Sequence, residues 1–429
     1  MVTRKASALT YVGLGPAGTG PLVAAAQSGT LDALLSDGIQ FIDKGPQPGS
    51  GKLGRYALHA DSSGCSFLEA TDRTELLRSL AVNPAAAPIR ALEPFRHSHP
   101  PLRLVAKQID LLGDAIAQRI RASESSELHT ETTAQSIHLR SDGSVCVRAH
   151  SAQHKEIEFV SRGAVLALGA SCRSELPPDL ASRPFSNRVV TADQLLQVTG
   201  LDRAECDLQT ISKPRVVILG GSHSAYSAAW RLLQSRRIEW AESSISIFQR
   251  RDPAVFYPDA EQAHQDRYAF TERDVCPLTR RIHRLGGLRG DGRELYRSVI
   301  ISGQERRVSI RPISERDELY RQFEAADLIV VALGYQPRTV PIFGADGRPL
   351  ELASATGGRH VDENCRLRLA AGGSTPNLYG IGLASGFIPD GEMGGEPSFQ
   401  GETNGVWLYQ NAIGERLLQS LRSFCERAA

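Results

Sequence analysis

The chain carries Tyr11-Val12-Gly13-Leu14-Gly15-Pro16-Ala17-Gly18 near its start and Val216-Val217-Ile218-Leu219-Gly220-Gly221-Ser222-His223-Ser224-Ala225 some two hundred residues later. Each glycine-rich turn follows an apolar run typical of a buried strand and opens a segment of helical character. Such a strand–turn–helix unit holds the diphosphate of a dinucleotide at the helix N-terminus. Two of these units predict two dinucleotide sites, and two facing redox nucleotides indicate a flavoenzyme that a nicotinamide reduces.

The first turn lies in a βαβ unit, for which the sequence predicts a strand over Leu9–Val12, a helix over Pro21–Ala33 and a strand over Ile39–Asp43. Asp43 ends the second strand, where a Rossmann fold places an acid that accepts hydrogen bonds from the adenosine ribose. A glycine turn that arises by coincidence is the alternative interpretation.

The glycines of this turn have separate expected roles. Gly13 permits the tight turn, Gly15 allows the backbone to approach a pyrophosphate, and Gly18 allows close packing of helix on strand. The helix N-terminus then faces the diphosphate charge.

The second unit has a predicted strand over Arg215–Leu219, a helix over Ser224–Ser235 and a strand over Ser244–Phe248. That last strand leads into Arg250 and Arg251 instead of an acid. Guanidinium groups at this place pair with a 2′-phosphate and favour NADPH over NADH; the alternative is an exposed, solvated pair.

The stretch Ser222-His223-Ser224 offers hydroxyls to the NADPH diphosphate, and His223 is a candidate hydrogen-bond donor beside the nicotinamide. The alternative is that these residues only cap the helix that begins there.

Composition excludes several classes of protein. In 429 residues, 49 Lys+Arg nearly balance 48 Asp+Glu, which gives no electrostatic basis for binding nucleic acid or an anionic membrane. No apolar run is long enough to span a bilayer, no signal peptide is evident, and the seven dispersed cysteines fit a reducing cytoplasm. His97 and His99 are too few for a structural metal site, so no metal is expected.

The rest of the chain predicts an α/β fold with two Rossmann-like dinucleotide-binding domains, the first of them discontinuous. Residues 1–210 are assigned to the first part of the FAD domain, 211–328 to the NADPH domain, and 329–429 to the return of the FAD domain with a C-terminal helix over Val406–Leu421. The buried strand over Ala326–Tyr335 is expected to return the chain to the first domain. Asp252–Gly290 is irregular and polar, as expected of an insertion or lid.

These motifs, in this order, resemble those of the class B flavin-dependent monooxygenases, above all the N-hydroxylating branch of ornithine and lysine hydroxylases. Gly13-Leu14-Gly15-Pro16 resembles the FAD turn of that branch, and Gly220–Ala225 resembles its NADPH turn, GGGQSA. Asp327–Tyr335 resembles the segment that ends in ATGY, and Thr375–Gly382 the closing strand beside the flavin. Ser222 and His223 replace a glycine and a glutamine of the NADPH turn.

The resemblance implies that NADPH reduces FAD, that reduced FAD and O₂ form a C4a-peroxyflavin, and that a nucleophilic nitrogen of an amine or amino-acid derivative takes up oxygen. Two alternatives remain: a flavin oxidoreductase or oxidase without oxygen insertion, and a non-catalytic flavoprotein that retains the fold. The expected partners are a small-molecule substrate and O₂, and a homo-oligomer is left open.

Residues assigned to the two cofactors lie in the turns, at the strand ends and at glycine exits. They are Gly13, Gly15, Pro16, Ala17, Gly18, Asp43, Gly169, Gly220, Gly221, Ser222, His223, Ser224, Arg250, Arg251, Gly334, Tyr335 and Gly382. No catalytic residue is assigned. Candidates come from the loop Gly49–Ser63, which is either mobile or faces the flavin, and from the polar stretch Gly394–Gly405. They are Lys52, His59, Gln400 and Asn404.

Overall fold

The computed structural model describes residues 7–74, 76, 86–181, 186–353, 360–389, 391–401 and 405–428. Within these residues no helix has the length and apolar character needed to cross a bilayer. The strands are β1 Ser7–Val12, β2 Ile39–Ile42, β3 Glu127–His129, β4 Thr132–Leu139, β5 Val145–Ser151, β6 Glu156–Leu166, β7 Ala170–Cys172, β8 Val189–Thr191, β9 Val216–Leu219, β10 Ile245–Gln249, β11 Val308–Pro312, β12 Leu328–Val331, β13 Tyr335–Pro337, β14 Ile342–Phe343, β15 Arg366–Arg368 and β16 Ser374–Gly380.

The α-helices of the described residues are α1 Pro16–Gln27, α2 Leu31–Ser36, α3 Gly64–Asp72, α4 Ala87–Leu92, α5 Leu102–Ala122, α6 Pro178–Ala181, α7 Ala192–Leu195, α8 Gly200–Leu208, α9 His223–Leu233, α10 Ala260–Gln265, α11 Gly290–Tyr296, α12 Arg316–Ala325, α13 Val406–Gln410 and α14 Ala412–Ala428.

The larger sheet of the described chain runs β14-β4-β5-β6-β1-β2-β3, with β16 also on β6 and β15 on β16. Its central strand β1 is parallel to β2 and β6, and it is buried almost throughout because neighbours cover both faces. Strands from both ends of the chain meet here, since β16 pairs with β6. The first Rossmann-like unit is therefore discontinuous, as predicted.

The smaller sheet contains five parallel strands among the described residues, in the order β11-β10-β9-β12-β8. The α/β fold class with two Rossmann-like sheets is confirmed.

Sheet membership corrects the expected course of the chain near residue 328. Strand β12 pairs with β9 and β8, so it belongs to the smaller sheet and does not return the chain to the larger one. Strand β8 also lies in the smaller sheet, upstream of the expected boundary at residue 210. The chain crosses between the sheets through β7 and β13, which pair with each other in an antiparallel ribbon.

Two predicted helices are divided in the structure. The first helix begins at Pro16, where proline fits the first helical turn, and ends at Gln27, because Gly29 adopts a φ of +68° that terminates it. The C-terminal segment divides at Asn411 into α13 and α14. Helix α1 packs against both of these helices, so the C-terminal end of the chain covers the first glycine turn's helix.

Candidate functional site

The first glycine turn is shaped by two close backbone approaches. Gly13 has a φ of +95°, and a Cβ there would lie 2.4 Å from the Ala167 carbonyl oxygen. A Cβ on Gly18 would lie 1.9 Å from the Gly13 carbonyl oxygen. Both positions therefore require glycine for reasons internal to the fold.

Gly15 differs from these two glycines. It precedes α1 with an ordinary φ of −71°, and no atom of the described chain lies within 4 Å of a Cβ placed on it. The backbone at the N-terminus of α1 is thus open on the side where a helix N-terminus attracts an anion.

Asp43 closes the turn from the side of β2. Its carboxylate accepts hydrogen bonds from the Leu14 amide at 2.5 Å and the Gly45 amide at 2.6 Å. Burial raises the pKa of the Asp43 carboxyl above its usual value, although these two hydrogen bonds act in the opposite direction. Gly382 also packs closely against this turn, because a Cβ placed on it would lie 2.6 Å from the Ala17 Cβ.

Residues 46–63, which we call the strap, connect the two sheets. The Gly49 amide donates to the Leu14 carbonyl at one end of the strap. At the other end the Ala57 amide donates to the Leu196 carbonyl, at the C-terminal end of α7. The sequence predicted a loop here that is either mobile or faces the flavin, and it did not predict hydrogen bonds at both ends of the strap.

The candidate residues of the strap are placed by these contacts. His59 Nδ1 lies 2.9 Å from Asp291 Oδ1 of α11, and Lys52 is exposed. The Tyr56 hydroxyl donates to Asp193 Oδ1 at 2.5 Å, and burial raises the pKa of Tyr56. His59 therefore contacts α11, whereas Lys52 points to no described partner and is exposed.

The second glycine turn repeats the geometry of the first. Gly220 has a φ of +140°, and its Cβ position lies 2.3 Å from the Ala332 carbonyl oxygen. Gly221 leaves space for the Gln249 side chain, 2.5 Å from its Cβ position. Ser222 is the residue before α9, but its side chain makes no capping hydrogen bond.

His223 is the first residue of α9. Its Nε2 atom is buried and has no hydrogen-bond partner among the described residues. An unpaired buried polar nitrogen is uncommon, so this atom is available to a bound ligand.

A cavity of about 2120 Å³ opens beside this second turn. Eight residues that the sequence predicted for the cofactors or the substrate line the cavity: Gly220, Gly221, Ser222, His223, Arg250, Arg251, Gly334 and Gln400. Ser224 and Tyr335, which the sequence also predicted, do not line it. Arg250 and Arg251 are exposed, and neither has an ion-pair partner within the described ranges. Asn404 falls outside the described residues.

The far wall of the cavity comes from the segment predicted to be an insertion or lid and from the polar stretch that supplied the candidate Gln400. Residues 252–290, the insertion, and residues 391–401, the return segment, meet there. Glu396 of the return segment accepts hydrogen bonds from the Leu285 amide at 3.0 Å and the Gly286 amide at 2.9 Å. The Ser398 amide donates to the Arg273 carbonyl at 2.8 Å, so backbone contacts join the two segments.

Sequence reasoning missed the titratable residues of this wall. His283 and Asp274 of the insertion line the cavity together with Glu396. The one available signal was the concentration of polar residues among the glycines near Gly394 and Gly395. Nothing local distinguishes His283 from His264, the other histidine of the insertion.

No protein-family model matches the chain. The chain is 31% identical over 430 residues to the CMP-5′-(3-aminopropyl)phosphonate hydroxylase of Streptomyces rubellomurinus, with 96% of this chain and 97% of that protein covered.

Solved structures share the fold at low identity. The FAD-bound cadaverine monooxygenase of the desferrioxamine pathway from Erwinia amylovora superposes with a TM-score of 0.57 at 14% identity, covering 98% of this chain and 95% of that one. The L-lysine 6-monooxygenase from Pseudomonas syringae gives a TM-score of 0.57 at 14% identity, covering 97% and 99%. The relationship at 31% identity spans nearly the whole of both proteins, and with the fold it shows that the chain belongs to the class B flavin-dependent monooxygenases and is an oxidoreductase.

Proposed function

We propose that this monooxygenase uses FAD and NADPH to oxygenate the nitrogen of a primary amine. The observation that carries the proposal is the open Gly15 at the N-terminus of α1, paired with a second glycine turn that borders a large cavity. Among the described residues, nothing beyond its chain neighbours crowds a Cβ placed on Gly15, and the other turn faces a space large enough for more than one ligand.

The first turn fits FAD. Open backbone at Gly15 and the partial positive charge of the α1 N-terminus suit a pyrophosphate. Asp43 lies at the end of β2, where a ribose hydroxyl can donate to its remaining acceptor positions. When bound, flavin supplies the transfer of one oxygen atom from O₂ to the substrate.

The second turn fits NADPH. The unpaired Nε2 of His223 supplies a polar contact at the start of α9. Arg250 and Arg251 supply two exposed cations on the cavity wall with no ion-pair partner among the described residues, which favours a 2′-phosphate. The chain's residues thereby bind and orient the nicotinamide nucleotide.

An amine substrate is supported by the relative at 31% identity, which is a hydroxylase of CMP-5′-(3-aminopropyl)phosphonate. A primary amine is the nucleophile of that molecule. The cavity of about 2120 Å³ exceeds the roughly 300–1,000 Å³ of a site for one small ligand. It therefore has room for a nucleotide-linked amine beside the nicotinamide.

The test begins with the visible spectrum of the purified protein and an anaerobic titration with NADPH. We expect a flavin spectrum that bleaches with NADPH, followed by O₂ uptake that depends on CMP-5′-(3-aminopropyl)phosphonate. The product should gain one oxygen atom, and with ¹⁸O₂ that atom should carry the label. A correctly folded protein that takes up no added FAD, or NADPH oxidation that yields only hydrogen peroxide, would refute the proposal.

A further inference from the structure

His283 occupies a distinctive position in the cavity wall. His283 lines the cavity, and its ring meets the Tyr268 ring edge to face, with centroids 5.9 Å apart. Asp274 of the insertion and Glu396 of the return segment line the same cavity, and their negative charges act on the imidazole. A histidine with two acids in a cavity is a candidate for proton transfer.

Both carboxylates are fixed by other groups. Asp274 Oδ2 accepts the amide and the hydroxyl of Thr271, each at 2.8 Å. Burial alone would raise the pKa of the Asp274 carboxyl, but hydrogen bonds from Ser398 and Thr271 hold it below its usual value. Glu396 is held by backbone amides of the insertion. The two acids therefore supply fixed negative charge beside His283.

The backbone of His283 is held in an uncommon conformation. Its φ is +45°, in the left-handed region that residues other than glycine rarely adopt. The His283 amide donates to the Asp274 carbonyl at 2.8 Å, and the His283 carbonyl accepts from the Gly287 amide at 3.0 Å. Such strain persists where the surrounding structure fixes a side chain in place, and it is concentrated at functional sites.

The pKa of His283 is shifted in the direction that suits a proton acceptor. Burial lowers the pKa of His283 below its usual value, while Asp274 and Glu396 act in the opposite direction. The lowered pKa favours the neutral ring at pH 7, and a neutral imidazole has one acceptor nitrogen. Once it takes up a proton, the two carboxylates stabilise the imidazolium.

A primary amine at pH 7 is an ammonium ion, because its pKa is about 10.4 in a lysine-like alkylamine. An ammonium nitrogen has no lone pair and cannot attack oxygen. Some group must remove one proton before the nitrogen is oxygenated.

We propose that His283 accepts this proton from the substrate ammonium group in the cavity, an inference that rests on the proposed function. One N–H bond of R–NH₃⁺ breaks, an N–H bond forms on the imidazole, and the freed lone pair takes up oxygen to give R–NHOH. The second oxygen atom of O₂ leaves as water, and NADPH supplies the two electrons. The imidazolium then releases its proton to solvent.

The test compares His283→Asn with His264→Gln. Asparagine tolerates the left-handed backbone, and His264 is an exposed histidine of the same insertion outside the cavity wall. The readout is kcat/KM for CMP-5′-(3-aminopropyl)phosphonate from pH 6 to 10, with the rate of anaerobic flavin reduction and the yield of hydrogen peroxide measured in parallel.

We expect His283→Asn to lower kcat/KM at pH 7 by roughly 10²–10⁴-fold. The loss should shrink by about tenfold per pH unit as the free amine becomes abundant. Flavin reduction should be unchanged and the peroxide yield raised, whereas His264→Gln should match the wild type. A His283→Asn profile parallel to that of the wild type overturns the inference.

Asp274→Asn provides a second variant should His283→Asn fail to fold. Removal of one negative charge makes the imidazolium less stable, so the acid limb of the pH profile should move to lower pH. An unmoved limb also overturns the inference. A wild-type enzyme that forms no hydroxylamine refutes the proposed function and this inference with it, whereas product formation that is insensitive to His283 refutes only the inference.

Discussion

Replacement of Gly15 by alanine separates a requirement of the ligand from a requirement of the fold. The residue has a φ of −71°, which alanine adopts without strain, and a Cβ there has no atom of the described chain within 4 Å. Among the glycines of the described residues, the others with such open space have positive φ values. Gly15 is thus the position where a methyl group tests the bound molecule alone.

The expected cost to folding is small. Alanine lowers the entropy of the unfolded chain and stabilises by about 0.4–1 kcal/mol at a compatible position. It is a poorer helix N-cap than glycine by a similar amount. The free energy of unfolding of the flavin-free protein should therefore change by less than about 1 kcal/mol.

The expected cost to flavin binding is large. The methyl group would stand between the turn amides and the pyrophosphate. Each hydrogen bond to a charged group contributes about 1.5–3 kcal/mol, and 1.4 kcal/mol corresponds to about tenfold in affinity. Each bond lost should weaken FAD binding roughly ten- to hundredfold.

The assay measures flavin content after purification and the Kd of FAD for the stripped protein, with urea unfolding as the measure of stability. Gly18→Ala is the matched control, because its Cβ would lie 1.9 Å from the Gly13 carbonyl oxygen and should damage the fold itself. Wild-type affinity for FAD in Gly15→Ala would show that no diphosphate lies against this turn. Loss of stability in Gly15→Ala would contradict the openness of the position.

Three further substitutions test other parts of the structure. Joint replacement of Arg250 and Arg251 by alanine should raise the KM for NADPH roughly ten- to hundredfold and leave the KM for NADH unchanged. Equal effects on the two KM values in steady-state assays would show that the two arginines do not contact the 2′-phosphate. Gly220→Ala should lower the free energy of urea unfolding by roughly 3 kcal/mol or more, because of the Ala332 carbonyl oxygen at 2.3 Å and the positive φ. Asp266→Asn should lower it by about 1.5–3 kcal/mol at pH 7. Arg297 donates two hydrogen bonds to the Asp266 carboxylate and holds the pKa of Asp266 below its usual value. The contribution of Asp266 to the free energy of unfolding is therefore present above about pH 4 and is lost as the pH falls. A difference between variant and wild type that persists unchanged at pH 2 would contradict that reasoning.

The parts of the molecule that the sequence predicted correctly are those with a local physical signature. Gly13 and Gly220 each permit a backbone approach that a side chain would block, and that requirement is visible in the sequence itself. The apolar runs before them became central parallel strands, because such strands are buried on both faces.

Sheet membership has no comparable signature. Strand β12 is buried at every position, as is the four-residue strand β9 beside it. An apolar run of this kind fits the centre of either parallel sheet equally well. The expectation that it returns the chain to the larger sheet was therefore wrong for a reason that composition could not reveal.

The strap illustrates the same limit for loops. Its glycines and serines are typical of a mobile connection, yet Tyr56 reaches Asp193, 137 residues further along the chain. The strap is anchored by one phenol, one imidazole and a few backbone amides, none of which forms a periodic pattern. Only the paired arrangement of the two domains brings these groups together.

The far side of the cavity also depends on contacts between segments that are distant in the sequence, and these segments are candidates for selecting the substrate. The second-turn side of the cavity is built from main chain that glycine exposes, and for this reason the sequence could predict a dinucleotide site there. The far side is built where Glu396 accepts hydrogen bonds from two backbone amides of the insertion. Every residue except proline has such an amide, so the contact leaves no trace in the sequence. The residues of the far side line the cavity and lie outside both glycine turns. Changes of substrate specificity should therefore be sought in residues 252–290 and 391–401, before the strap residues Lys52 and His59.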